Sequence, residues 1–168
     1  MTRKRSKTHP AASQPRADRT MPPAGKDPFA QRKKLPDPTT CPGCGAIYRD
    51  GRWAWGAPPV GAHEAECPAC QRIAESYPAG IVTVRGEFAR AHRDEITRLV
   101  RNLEEREKAS HPLKRIMAVE EEGDALLVTT TDTHLARNIG DALHHAYQGE
   151  LDYDPAESET VLRVTWER

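Results

Sequence analysis

The chain has 168 residues, 37% of them hydrophobic and 30% charged, and no apolar run approaches the length of a membrane span. Its formal net charge is zero, but residues 1–40 carry ten Lys or Arg against three Asp, and residues 41–168 carry fifteen basic against twenty-two acidic side chains. A membrane-spanning helix is thereby excluded, and what remains is a cationic arm on an acidic body, which points to a polyanionic partner for the arm or to the body itself.

Residues 1–38 hold Pro10, Pro15, Pro22, Pro23, Pro28, Pro36 and Pro38 and almost nothing apolar to bury, which predicts a disordered basic arm. Two clusters bracket it: Arg3, Lys4, Arg5 and Lys7, then Arg32, Lys33 and Lys34. Such clusters bind RNA by releasing counterions from phosphates, or they merely solubilise. Their position directly before the cysteines favours the RNA-binding role.

The four cysteines fall into two C-x-x-C pairs, Cys41-Pro-Gly-Cys44 and Cys67-Pro-Ala-Cys70, separated by 22 residues. Each pair puts two thiolates on one small loop, and two facing loops complete a tetrahedron around Zn²⁺. Paired disulfides or a redox C-x-x-C are the other readings. No apolar signal segment opens the chain, so a reducing, cytoplasmic setting is expected, where such pairs hold metal; a redox motif needs only one pair. The expectation is a zinc ribbon over residues 39–78, with Cys41, Cys44, Cys67 and Cys70 as ligands and no coordination position left for catalysis. Inside it, Tyr48, Arg49, Asp50-Gly51, Arg52, Trp53 and Trp55 form an aromatic and basic hairpin turned at Asp50-Gly51. Its tryptophans either shield the metal or stack on unpaired bases, with Arg49 and Arg52 on phosphates.

Residues 79–168 predict a second, α+β domain. Ile81–Arg85 alternates as a strand ending at Gly86. Phe88, His92, Ile96, Leu99, Val100 and Leu103 recur at helical spacing, predicting a helix over 88–109 with Asp94–Arg98 and Glu104–Lys108 pairs on its wet face. His111-Pro112 stops it. Strands Lys114–Val119 and Ala125–Thr131 flank a turn at Glu121–Asp124. Asp132 or Thr133 caps a second helix with the stripe Leu135, Ala136, Ile139, Ala142, Leu143 and Ala146, closed by Gly149. Strands Glu150–Asp154 and Thr160–Trp166 follow. This order predicts a ferredoxin-like (split βαβ) antiparallel sheet with two helices and its last strand doubled.

No catalytic constellation emerges. His134, His144 and His145 lie off the apolar stripe of their helix, Glu120–Glu122 with Asp124 belong to a solvated turn, and no glycine cluster makes a phosphate loop.

The pieces Cys41-Pro-Gly-Cys44-Gly, Tyr48, Asp50-Gly51-Arg52-Trp53 and Cys67-Pro-Ala-Cys70 resemble the zinc-ribbon region of the large-ribosomal-subunit export adaptors of archaea and eukaryotes. With Val82–Gly86, His111–Ile116 and Thr129–Leu135, the chain also resembles a bacterial group of small proteins that share this ribbon. The resemblance implies a zinc-stabilised module that docks on ribosomal RNA or ribosomal proteins. The function expected is thus a non-enzymatic, zinc-binding, RNA- or ribosome-associated factor. A protein-interaction adaptor using the α+β domain is the alternative, and an enzyme with its site on the open sheet face is the third reading.

Overall fold

The computed structural model describes residues 27–30, 34–155 and 160–168. Two sheets divide the described residues. The smaller is built from β1 (Thr39–Thr40), β2 (Ile47–Arg49), β3 (Arg52–Ala54) and β4 (His63–Glu64), in the order β3-β2-β1-β4. β1 pairs with β4 in parallel; the other neighbours are antiparallel. Asp50 (φ 52°) and Gly51 (φ 80°) make the β2–β3 turn, two left-handed residues whose twist matches the hairpin. Helix α1 (Pro68–Ala74) follows, with Cys67 as N-cap and Pro68 in its first turn, where the missing N–H costs nothing. Ala46, Tyr48, Trp53 and Ala69 pack around Cys41 and Cys67 as a small core, which Leu35 and Leu113 help to cover.

The larger sheet contains β5 (Gly80–Arg85), β6 (Ile116–Glu122), β7 (Ala125–Thr130), β8 (Glu150–Pro155) and β9 (Leu162–Glu167) in the order β6-β7-β5-β9-β8. Helices α2 (Glu87–Ala91), α3 (Arg93–Ser110) and α4 (Thr133–Tyr147) connect them. Alternation in β5, β7 and β9 sends Val82, Val84, Leu126, Val128, Val164 and Trp166 into one core with Ile96 and Val100 of α3 and Leu135, Ile139 and Leu143 of α4. On the opposite side Ile81, Leu127 and Val161 form a second, small cluster. Asp132 caps α4, its side chain accepting the Leu135 N–H at 2.9 Å. No helix among the described residues is long and apolar enough to cross a membrane.

Three expectations need correction. The sheet is mixed, because β9 runs parallel to β5. α4 delivers β8 to the outer edge, and the chain folds back inward, so the returning strand lies between β8 and β5 with the direction opposite to β8. The helix expected over 88–109 is two helices broken at His92 (φ −115°, ψ 28°). Phe88 stacks on His92 at 4.1 Å and lies 5.4 Å from Tyr147 and 6.4 Å from Trp166, so an aromatic cluster packs at the break. Glu104 is not on a wet face with Lys108; it is 8% exposed, and its carboxylate accepts the Ile116 N–H at 2.7 Å. α4 closes as expected, with Gln148 as its C-cap and Gly149 (φ 93°) just beyond it.

Candidate metal centre

The chain brings its two C-x-x-C pairs together from different directions. Cys41 leaves β1 and enters a turn closed by Cys41 N–H to Ala46 O and Gly45 N–H to Cys41 O, both 2.8 Å. Gly45 (φ 78°) takes the left-handed corner that lets Cys44 face back toward Cys41. Cys67 and Cys70 lie on the first turn of α1, where the helical repeat puts residues three apart on one side. Gly43 lies against this turn: a Cβ there would be 3.1 Å from the Cys70 Sγ.

The four Sγ atoms all lie within 4.8 Å of one another, and none is in a disulfide. Cys44 and Cys67 are 3.7 Å apart, against about 2.05 Å in a disulfide. A tetrahedron with metal–sulfur distances of about 2.3 Å has edges of about 3.8 Å, so the donor set fits one metal ion. Cys41 and Cys67 are fully buried. Backbone donors are aimed at the sulfurs: Cys67 N–H at Cys41 Sγ, 3.3 Å, and Cys70 N–H at Cys67 Sγ, 3.4 Å. Burial works against charge on Cys41, yet the N–H groups of Cys67, Cys44 and Gly43 draw its pKa down to about 7. Burial pushes the Cys44 thiol up, and it pushes the Cys67 thiol up further, with the neighbouring sulfurs adding to the effect. Such a cluster cannot hold four bare anions, and a divalent ion relieves that repulsion.

A fifth residue belongs to the site. Arg115, in the loop leading into β6, brings its Nη2 to 3.2 Å from Cys67 Sγ, 3.3 Å from Cys70 Sγ and 3.8 Å from Cys44 Sγ. Burial works against its charge, but the hydrogen bond to Cys70 and the charges of the cysteines raise its pKa. Nothing in the sequence marked it as a neighbour of the cysteines: it lies 45 residues beyond Cys70 and reads as the start of a strand, which in the structure begins one residue later, at Ile116. The Arg115–Thr131 pair holds the loop in place: Arg115 N–H donates to Thr131 Oγ1 and Thr131 N–H to Arg115 O, each at 2.9 Å.

The residues expected to contact nucleic acid divide. Arg49 and Arg52 are exposed and stand directly opposite each other at the hairpin tip, and Lys34 is exposed too. Trp53 is 8% exposed and packs against Tyr48 at 5.6 Å, so its ring completes the small core and is not offered to a base, which corrects the stacking expectation for this residue. Trp55 is 39% exposed and donates its indole N–H to Lys108 O at 2.6 Å, tying the hairpin to the last turn of α3. Arg3, Lys4, Arg5, Lys7, Arg32 and Lys33 lie outside the described residues. His134, His144 and His145 are exposed.

Comparison with protein-family models, with curated proteins and with solved structures returned no match for this chain.

Proposed function

We propose that the chain is a non-enzymatic, zinc-stabilised factor that engages RNA, free or within the ribosome, in the cytoplasm. The observation that carries the metal part is the closed set of four sulfurs, Cys41, Cys44, Cys67 and Cys70, within 4.8 Å of one another. Four thiolates fill a tetrahedral zinc ion, which supplies stability to the fold and has no position for a substrate. We read the small sheet with α1 as a zinc ribbon, and β5 to β9 with their helices as a ferredoxin-like layer into which β9 has been inserted. Metal analysis of the purified protein separates zinc from iron, which favours the same donors.

The RNA part is supported by charge placement. Arg49 and Arg52 project from a rigid turn on the metal-bearing sheet, and the preceding segment adds the basic clusters of residues 3–7 and 32–34. The remaining body is acidic and repels phosphate, which confines an RNA contact to this end. Anisotropy of a labelled single-stranded RNA, measured across a salt series, tests the proposal. The double variant Arg49→Glu with Arg52→Glu is expected to weaken binding several-fold and to flatten the log–log salt slope by about 0.7 for each phosphate no longer neutralised. Binding that ignores salt, or that the variant leaves unchanged, overturns it.

One observation favours a protein partner as the second reading. Both edges of the larger sheet carry carboxylates, Glu120–Glu122 on β6 and Glu150, Asp152 and Asp154 on β8, which suit a basic strand or tail. Pull-down of a basic protein that persists after nuclease treatment supports that reading over the RNA one.

A further inference from the structure

The cysteine cluster lies between the small sheet and α1, but the guanidinium on its sulfurs comes from the loop that leads into the large sheet. We propose that Arg115 is a positioning residue for the cysteine ligands and that it couples metal occupancy to docking of the two sheets. This inference rests on the reading of the cysteine cluster as a metal site.

The coupling follows from what the guanidinium has for company. The acceptors of Arg115 Nη2 are sulfurs of Cys67, Cys70 and Cys44, while its Nε is buried with no hydrogen-bond partner among the described residues. A cation placed this way is held well only by anionic acceptors. A divalent ion with four thiolates carries a double negative charge, and Arg115 neutralises half of it. Metal-free thiols are weak acceptors, so without the ion the same guanidinium is buried at a loss. Other contacts also cross the joint: Tyr77 Oη lies 3.5 Å from Thr160 Oγ1. Leu113 packs on the small core, and Trp55 donates to Lys108 O. Arg115 is therefore the charged pin of the joint, and linkage makes its effect reciprocal: whatever docking adds to metal affinity, metal adds to docking.

The experiment uses the full chain. The metal-loaded wild type, Arg115→Gln and Arg115→Lys are challenged with a chromogenic chelator, and hydrogen exchange is followed in the wild type before and after stripping. Arg115→Gln is expected to hold its metal about 10–100-fold less tightly, the usual effect of removing a group that orients metal ligands. Arg115→Lys should fall between, since it keeps the charge but loses the planar guanidinium that sets Nη2 against the sulfurs. Stripping the wild type should raise exchange at residues 113–118 and at Thr131, on the far side of the joint. Equal metal retention in all three proteins overturns the proposal, as does exchange at 113–118 that ignores metal. Arg115→Lys indistinguishable from wild type overturns the positioning role. A wild type that takes up no metal refutes the metal reading itself, and the inference with it.

Discussion

Two glutamates one turn apart on α3 show how much a single side chain's address matters. Glu104 follows Ile96 and Val100 at intervals of four, so it points inward with them, and it is stable there because it accepts the first N–H of β6 and lies 3.4 Å from Arg101. Glu107 accepts from Lys114 Nζ at 2.6 Å and Asn138 Nδ2 at 3.2 Å, joining α3, the loop before β6 and α4. The Lys114 hydrogen bond holds the Glu107 carboxyl below its ordinary value of 4.5. A lowered carboxylate adds stability above the unfolded value and loses it as pH falls through the folded one. Glu107→Gln should therefore destabilise the protein by about 1 kcal/mol at neutral pH, and the gap should close below pH 4.5. Melting curves of the two proteins against pH check this; a gap that stays constant into acid would show that the charge is not what matters. Neither role was legible beforehand. The sequence reading puts Glu104 on the wet face beside Lys108, because its acceptor function depends on a backbone donor twelve residues away that no periodicity reveals.

At the scale of elements, α4 approaches the sheet through small residues. A Cβ at Gly140 would lie 2.7 Å from Val164 Cγ1 and 3.0 Å from Leu151 Cδ1, and one at Gly80 would lie 2.4 Å from the Ala136 Cβ. Gly140→Ala gains about 1 kcal/mol of helix propensity and incurs about 1–3 kcal/mol of overpacking. The expected outcome is a net destabilisation of about 1 kcal/mol, seen as a lower denaturant midpoint at unchanged slope. A variant more stable than the wild type would mean that Val164 and Leu151 give way. Elements with strong local signals were legible: the alternating strands, the Asp50-Gly51 turn, the cap at Asp132 and the spacing of the four cysteines. The break at His92 was not, since it follows from tertiary packing of Phe88 with Tyr147 and Trp166. Nor was the parallel pairing of β9, because the side to which a hairpin returns is chosen by the strand it meets and not by its own residues. Arg115 escaped for a related reason: its partners were recognisable, but its proximity to them is made by the joint between the sheets.

For the molecule as a whole, the two cores differ in what they depend on. The small one has Cys41 and Cys67 at its centre and few apolar neighbours, whereas the large one closes around Trp166, Ile96, Leu135, Ile139 and Leu143 without a cysteine. Chelation, or Cys41→Ser, should unfold residues 41–75 and leave the five-stranded sheet folded, with only the start of β6 loosened. The tryptophans report separately: Trp53 and Trp55 lie in or beside the small sheet and Trp166 in the large core, so a Trp166→Phe background isolates the metal-dependent emission. Small-sheet amides that stay protected after chelation would refute the dependence.

The placement of β9 also sets an order of assembly. Gly80 pairs with Leu162 and Val84 with Trp166, so the middle of the large sheet joins its first strand to its last. While the chain emerges from the synthetic machinery, the cysteine module is complete long before that strand arrives. β5 meanwhile waits with one flank unpaired and its valines uncovered, a slow, non-local closure that exposes a sticky edge. The nascent protein is thus most vulnerable to aggregation in the interval before residues 162–167 slide into the gap.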